Sequence, residues 1–267
     1  MDLYEAMRCA PTTRRFRSDP VAGEVLLRVL ENARFAPSGG NRQGWRVIAV
    51  RDAQPRRALR DLYQPHWRAY MEHTGGAAVL ADPGLAEAPA GRRVKRADEF
   101  AERMHEVPLH LVVCARLGDL AIVDTGLDRP SIVGGASIYP FVQNILLGLR
   151  AEGLGAALTT LLAPAEPQVR RLLQIPDDVV LAAYVLVGHR DEPWPARLSR
   201  KPVEEFAFSE RYGAAGRGPA GVGAAGRGPA GPAIPDGPSA RRARPDRSSR
   251  CARDRGSAVR GRPRHRR

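Results

Sequence analysis

The composition of this chain breaks after Tyr212, and the break decides how much of it can build a hydrophobic core. Residues 213–221 read GAAGRGPAG and residues 223–231 repeat it; beyond them come Arg, Pro, Ser and Gly with almost no large apolar side chain. Such a segment buries too little apolar surface to offset the entropy of ordering it. The reading is a folded domain at 1–213 and a disordered Arg/Gly/Pro-rich tail at 214–267. The tail holds fourteen Arg, no Lys and three Asp, a net +11 out of the chain's +13, so the body is nearly neutral at +2. The strong positive charge is thus a property of the tail. Nucleic acid is not an expected partner, except non-specifically through the tail arginines, and the tail reads equally well as a non-functional extension.

Within 1–213 the apolar spacing alternates between helical and strand periods. Residues 2–9 and 21–35 read as helices, the second with Val25, Leu26, Val29, Leu30 and Ala33 on one face. Residues 36–44, APSGGNRQG, form a loop rich in turn residues. Residues 45–51 read as a strand and 55–72 as a helix, with Leu59, Leu62, Tyr63, His66 and Tyr70 at helical spacing. A Gly-, Ala- and Pro-rich stretch at 73–92 precedes a charged helix at 93–106 and a second strand at 108–116. Residues 135–151 are apolar nearly all round, which predicts a deeply buried helix, with Pro140 in its early part and Gly153 and Gly155 as its stop. A short strand at 156–160, a helix at 165–174 and a strongly apolar strand at 179–188 follow, the last expected near the centre of the sheet. The class is α+β: a central mixed or antiparallel sheet covered by helices.

Cys9, Cys114 and Cys251 include no CxxC pair and are odd in number, which argues against a disulfide framework or a zinc site and for a reducing compartment. Cys114 reads as a small core residue inside an apolar strand. The N-terminus, MDLYEAMRCAPTTRRF, has no apolar h-region, and no uncharged apolar run approaches membrane-spanning length. The expectation is a cytoplasmic protein with no membrane contact and no metal.

Four short segments carry polar or glycine-rich character beside apolar elements. Thr12-Thr13-Arg14-Arg15 offers two hydroxyls and two guanidiniums, a plausible phosphate cradle; taken alone it is also a solvated charged turn. Pro37-Ser38-Gly39-Gly40-Asn41 lets a flat ligand approach the backbone, and in isolation is a helix-to-strand connection. Thr159-Thr160 ends a strand, where threonines are usually structural, and Arg200-Lys201-Pro202 follows the last strand as a surface charge pair. Within residues 1–213 the GxGxxG, P-loop, HExxH and GxSxG patterns are all missing.

In this order and at these separations the segments resemble the nitroreductase family. The resemblance covers about residues 2–212 and is carried by PTTRRFRSDPV at 11–21, ENARFAPSGGNRQGWRVIAVRD at 31–52, GGASIYPFVQNILLGLRAEGLGAALTT at 134–160 and LSRKPVEEF at 198–206. It is nearest the branch with iodotyrosine deiodinase and dimethylbenzimidazole synthase. The resemblance implies an FMN-binding, domain-swapped-type homodimer. It implies FMN contacts at Thr12, Thr13, Arg14, Pro37, Ser38, Gly39, Asn41, Thr159, Thr160 and Arg200. Thr12 and Arg200 match phosphate-end positions, and Arg14 matches a residue at the flavin ring and ribityl chain. Ser38 would come from the partner subunit, and Thr159 and Thr160 would lie near flavin N5. Two departures stand out: Ala10 and Pro11 replace the family's arginines, leaving Arg8 as the nearest substitute and implying weaker FMN binding, and Gly44 replaces a usual proline.

The implied activity is ping-pong hydride transfer from NAD(P)H to a small organic acceptor such as a nitroaromatic or quinone. Thr160 and Arg14 are the candidate catalytic residues, and the region 55–106 is the substrate lid. Within the lid, Trp67 or Tyr70 would either stack on an aromatic acceptor or pack the lid against the body. The alternatives are a specialised enzyme of the same fold (reductive dehalogenase, flavin-destroying synthase or tailoring oxidase), a binder of acidic partners through the tail, and a flavin-storage or sensor protein.

Overall fold

Two strands with alternating side chains sort the core into two layers. In the computed structural model, which describes residues 1–209, 211 and 212, the strands are β1 (Trp45–Val50), β2 (Leu109–Arg116), β3 (Leu154–Thr159) and β4 (Val179–His189). They form one sheet in the order β1-β2-β4-β3, and every strand pair is antiparallel. The expected sheet is therefore antiparallel rather than mixed, and the apolar strand β4 is central. The expected tail at 214–267 lies outside the described residues.

Leu109, Leu111, Val113 and Ala115 of β2, with Ala183, Val185 and Val187 of β4, point to one side. There they meet Leu26, Val29 and Ala33 of α2 (Gly23–Ala33) and Phe141, Val142, Ile145 and Leu149 of α7 (Tyr139–Ala151). Val112, Cys114, Tyr184 and Leu186 point to the other side, against Leu59, Tyr63, Trp67 and Met71 of α3 (Ala53–His73) and Val169 of α8 (Glu166–Leu173). Each fully buried Leu, Ile or Phe contributes roughly 1.5–3 kcal/mol, so both faces are needed to hold the sheet. Cys114 is a core residue as expected, and burial pushes its thiol up to about 11.

Local bounds differ from those expected. The stretch 73–92, for which composition gives no element, is mostly helical: it holds α4 (Gly76–Ala81) and α5 (Pro83–Glu87), and the charged helix expected from 93 begins earlier, as α6 (Pro89–Arg103). Pro83 and Pro89 sit in the first turns, where the missing N–H costs nothing, and the Asp82 carboxylate accepts from the amides of Gly84 and Leu85 at 2.8 and 3.1 Å. Helix α7 begins at Tyr139, after a 3₁₀ turn at Val133–Ser137. Strand β3 begins at Leu154, because Gly153 alone makes the left-handed stop at φ 75°. Gly155 has another purpose: a Cβ there would lie 2.6 Å from Thr13 Oγ1. The small α1 (Leu3–Cys9) is capped by Asp2, whose carboxylate accepts from Glu5 N at 2.8 Å.

Candidate functional site

The segment after α1 runs beside the edge strand β3. Thr12 bridges Ala156 in parallel, Thr13 N donates to Ala156 O at 2.8 Å, and Phe16 bridges Arg190 beyond the end of β4. Thr13 is 0% exposed and packs over Gly155, with its hydroxyl 3.2 Å from Arg190 Nη1, which donates to it. It therefore has no surface for a ligand. The expected cofactor contact at Thr13 is corrected to a packing role that holds Thr12 and Arg14 on either side.

Arg14 is exposed, yet it has no carboxylate within 4 Å among the described residues. Its pKa is lowered, first by desolvation and then by the neighbouring Arg96 guanidinium, with Tyr63 and Glu192 opposing. Tyr63 of α3 is buried, and its hydroxyl lies 3.4 Å from Thr159 Oγ1. Burial raises the Tyr63 pKa, and the Thr159 hydrogen bond opposes the rise. Thr159 Oγ1 also accepts from Leu161 N at 3.2 Å, which fixes the turn that presents Thr160. Thr160 is exposed and lines a pocket of about 10 Å³ with Ala182, Ala183 and Tyr184. Arg14, Tyr63, Thr159 and Thr160 thus gather along the β3 edge.

Behind this edge Tyr184 is buried, its hydroxyl 2.5 Å from His110 Nδ1, while His110 Nε2 lies 2.9 Å from the Met104 carbonyl. A carbonyl can only accept, so Nε2 carries the proton and Nδ1 accepts from Tyr184. Burial drives the His110 pKa down to about 3 and raises that of Tyr184.

The loop from Pro37 to Asn41 lies at the other edge, just before β1. Gly40, Asn41 and Gln43 have φ of 61°, 54° and 51°, left-handed backbone that costs the two non-glycine residues energy. The turn is held by Ser38 Oγ, which accepts from Gln43 N at 3.0 Å, by Asn41 Oδ1, which accepts from Gln43 Nε2 at 3.1 Å, and by Ser137 Oγ, which accepts from Gly39 N at 3.1 Å. Pro37, Gly39 and Asn41 are exposed, and the Ser38 hydroxyl keeps its own proton for a ligand. Gly44 has a local reason: a Cβ there would sit 2.8 Å from Asp119 Cβ. The strand order sets this loop and the segment beside β3 at opposite edges of a sheet whose outer strands are roughly 14 Å apart.

Arg200 returns to the β3 side. Leu198 N donates to Arg8 O at 2.8 Å, so the loop after β4 runs back along the N-terminal segment, and Arg200 projects two residues later. Its guanidinium donates to the Ser199 carbonyl at 2.7 Å and has no carboxylate within 4 Å among the described residues. Arg8 itself lies over the Tyr4 ring, 5.8 Å from its centroid.

The lid residues divide. Trp67 is buried, donates from Nε1 to Asp98 at 2.7 Å and stacks on Tyr63 at 6.3 Å, so it packs α3 against α6. Tyr70 remains exposed and tilted on Trp67. Tyr63 was legible in sequence only as part of an apolar helix face, and Arg96, Ser137 and Glu192 carry no local signal at all; contacts far apart in the chain assign them.

The donor set fits a flavin mononucleotide. Thr12 and Arg200 offer an exposed hydroxyl and a cation for a phosphate. Arg14 offers a crowded guanidinium without a carboxylate for the polar ring edge, and Thr159 and Thr160 offer hydroxyls beside it. Among the described residues no group of three or more His, Cys, Asp or Glu is placed to hold a metal, and no helix is long and apolar enough to cross a membrane.

Comparison with known proteins shows the family and the fold. The chain is 31% identical over 210 residues to an NADH dehydrogenase of Thermus thermophilus, covering 78% of this chain and 96% of that one. It is 28% identical to the 5,6-dimethylbenzimidazole synthase of Rhodospirillum rubrum, covering 77% and 85%, and 26% identical to the iodotyrosine deiodinase of Thermotoga neapolitana, covering 72% and 91%. The fold matches an iodotyrosine deiodinase crystal structure bound to FMN and 3-iodo-L-tyrosine, with a TM-score of 0.57, 22% identity, and coverage of 79% of this chain and 98% of that one. It matches the FMN- and NADPH-dependent nitroreductase of a Sphigopyxis strain equally well, with a TM-score of 0.57, 22% identity and coverage of 79% and 100%. The nitroreductase family model matches residues 11–189, from the Thr12 segment to the end of β4, and the chain belongs to the nitroreductase family.

Proposed function

We propose that this protein is an FMN-dependent oxidoreductase that moves a hydride, by a ping-pong cycle, from NAD(P)H to a small organic acceptor such as a nitroaromatic or quinone. The observation that carries the reading is Arg14: a crowded guanidinium with no carboxylate partner, beside the hydroxyls that end β3. FMN, when bound, would supply the electron-accepting and electron-donating chemistry. Arg14 would stabilise the negative charge that reduction places on the N1/O2 side, Thr160 or Thr159 would hydrogen-bond at N5, and Thr12 and Arg200 would hold the phosphate. Thr13 keeps these residues in place from beneath. Ala10-Pro11 removes a phosphate cation, and the orientation of Arg8 over Tyr4 does not replace it, which supports weaker FMN binding.

The reading includes a homodimer with 1–213 as the working body. A partner's Pro37–Asn41 loop would complete the site, since this chain's own loop lies at the far sheet edge. The apolar side chains left exposed on α1 (Leu3, Tyr4 and Met7) and at Phe35 and Ile132 support a covering surface. The cytoplasm is the proposed compartment.

A second reading, favoured by relatives named as deiodinase and synthase, is a specialised enzyme on the same site. Purified protein should be yellow and should bleach on anaerobic addition of NADH or NADPH; colourless protein that takes up no FMN overturns both readings. Fast turnover of nitroaromatics or quinones supports the general reductase, and bound flavin without such turnover supports the specialist.

A further inference from the structure

A cavity of about 300 Å³ opens between the segment Arg14–Phe16 and the lid helix α6. Phe16 and Phe100, with ring centroids 6.1 Å apart, give it an aromatic floor. Arg14 from the body and Arg96 from the lid line it, with Arg15 beside them. Two guanidiniums on one small cavity repel each other, and the fold brings no carboxylate within 4 Å of Arg14 among the described residues. The acids nearby are committed or distant. Glu106 is held by Arg103 at 2.7 Å, and Glu192 accepts from Arg190 at 3.1 Å, which leaves it 3.8 Å from Arg96 and from Arg15. Glu99 and Asp191 also line the cavity, but neither comes within 4 Å of Arg14 or Arg96. The Arg14 pKa is lowered first by desolvation and then by Arg96, with Tyr63 and Glu192 opposing, in keeping with this crowding.

We infer that the space between Arg14 and Arg96 is an anion subsite, which takes the carboxylate or phosphate group of a reactant whose apolar part rests on Phe16 and Phe100. This deepens the proposed function by naming the charge of the reactant. An anion there removes the repulsion and accepts charge-assisted hydrogen bonds from both guanidiniums. The anionic group has two possible carriers, an acidic aromatic acceptor or the ribose phosphate that distinguishes NADPH from NADH.

The test compares the full-length protein with Arg96→Gln, a substitution on an exposed helix position outside the flavin contacts. Binding of 4-nitrobenzoate and of neutral 4-nitrobenzamide is measured by calorimetry, and kcat/KM is measured with NADPH and with NADH. The expected result is about tenfold weaker nitrobenzoate binding in the variant, with nitrobenzamide changed less than twofold. A tenfold loss of kcat/KM for NADPH alone also supports the subsite and names the coenzyme as its carrier. The inference is overturned if the variant treats charged and neutral ligands alike and both coenzymes alike. It is also overturned if FMN retention falls as far as nitrobenzoate binding, because the anion would then be the cofactor's. A colourless wild-type protein counts against the FMN assignment, while calorimetry still decides the subsite.

Discussion

Gly155→Ala tests whether the cofactor segment is held to the sheet by the packing of Thr13. The added Cβ would lie 2.6 Å from Thr13 Oγ1, 2.8 Å from Cγ2 and 2.9 Å from Cβ, whereas ordinary contact begins at 3.4 Å. One of the two backbones must retreat by about 0.8 Å, which strains the 2.8 Å bond from Thr13 N to Ala156 O and the Arg190 bond to the Thr13 hydroxyl. Overpacking of this kind costs roughly 1–3 kcal/mol, and a domain of this size loses about 2–4 °C of Tm per kcal/mol, so the expected fall is about 2–12 °C. FMN affinity should fall with it, since Thr12 and Arg14 flank the displaced residue. Thr13→Ala in the same chain vacates the space. The double variant should recover at least about 1 kcal/mol relative to Gly155→Ala alone, even though Arg190 loses an acceptor. Thermal unfolding and FMN titration of wild type, both single variants and the double variant measure the coupling. If the two substitutions simply add, or if Gly155→Ala is as stable as wild type, the packing argument is refuted.

Other outcomes follow from the same geometry. His110 has a folded pKa of about 3 against an ordinary 6.5, so the unfolded chain binds the extra proton between these values and stability falls as pH drops through that window. Between pH 6 and pH 4 the loss should reach roughly 2–3 kcal/mol in urea unfolding, and His110→Gln should flatten the slope; an unchanged slope removes His110 as its source. Arg14→Ala should weaken FMN binding and move the flavin potential downward, and a potential equal to wild type takes Arg14 out of the electrostatic role. Trp67→Phe should cost about 1 kcal/mol through the lost bond to Asp98 without altering acceptor preference, whereas Tyr70→Ala should raise KM for aromatic acceptors. Steady-state assays alongside melting curves separate the two effects.

Periodicity made the sheet and the long helices legible, because alternation in β2 and β4 and the apolar face of α2 are local properties of the chain. Helices α4 and α5 were illegible, because five or six residues are too few to carry a periodic pattern, and Asp82 caps α5 from outside the helix. Gly153 and Gly155 look alike in sequence, but one is needed for its positive φ and the other for its missing Cβ. The candidate site was legible as four segments only through family resemblance; the fold sets the Thr12–Arg15 segment beside the strand that ends in Thr159, and the loop that carries Arg200 runs back past Arg8. Thr13 was misassigned because a threonine beside a phosphate and one buried under a glycine have the same letter. Tyr63, Arg96 and Glu192 were invisible because their roles rest on contacts many tens of residues away. Ser38 lies in the loop before β1, at the opposite sheet edge, a placement that the sequence alone does not give.

The most direct test of the shared flavin site is complementation between two inactive variants. Arg14→Glu and Ser38→Trp are expected to abolish FMN retention as separate homodimers. Co-expressed and purified as the mixed dimer, they leave one pocket with a native Arg14 from one protomer and a native Ser38 from the other. The account predicts about one FMN per mixed dimer by absorbance. A mixed dimer as colourless as its parents would contradict it.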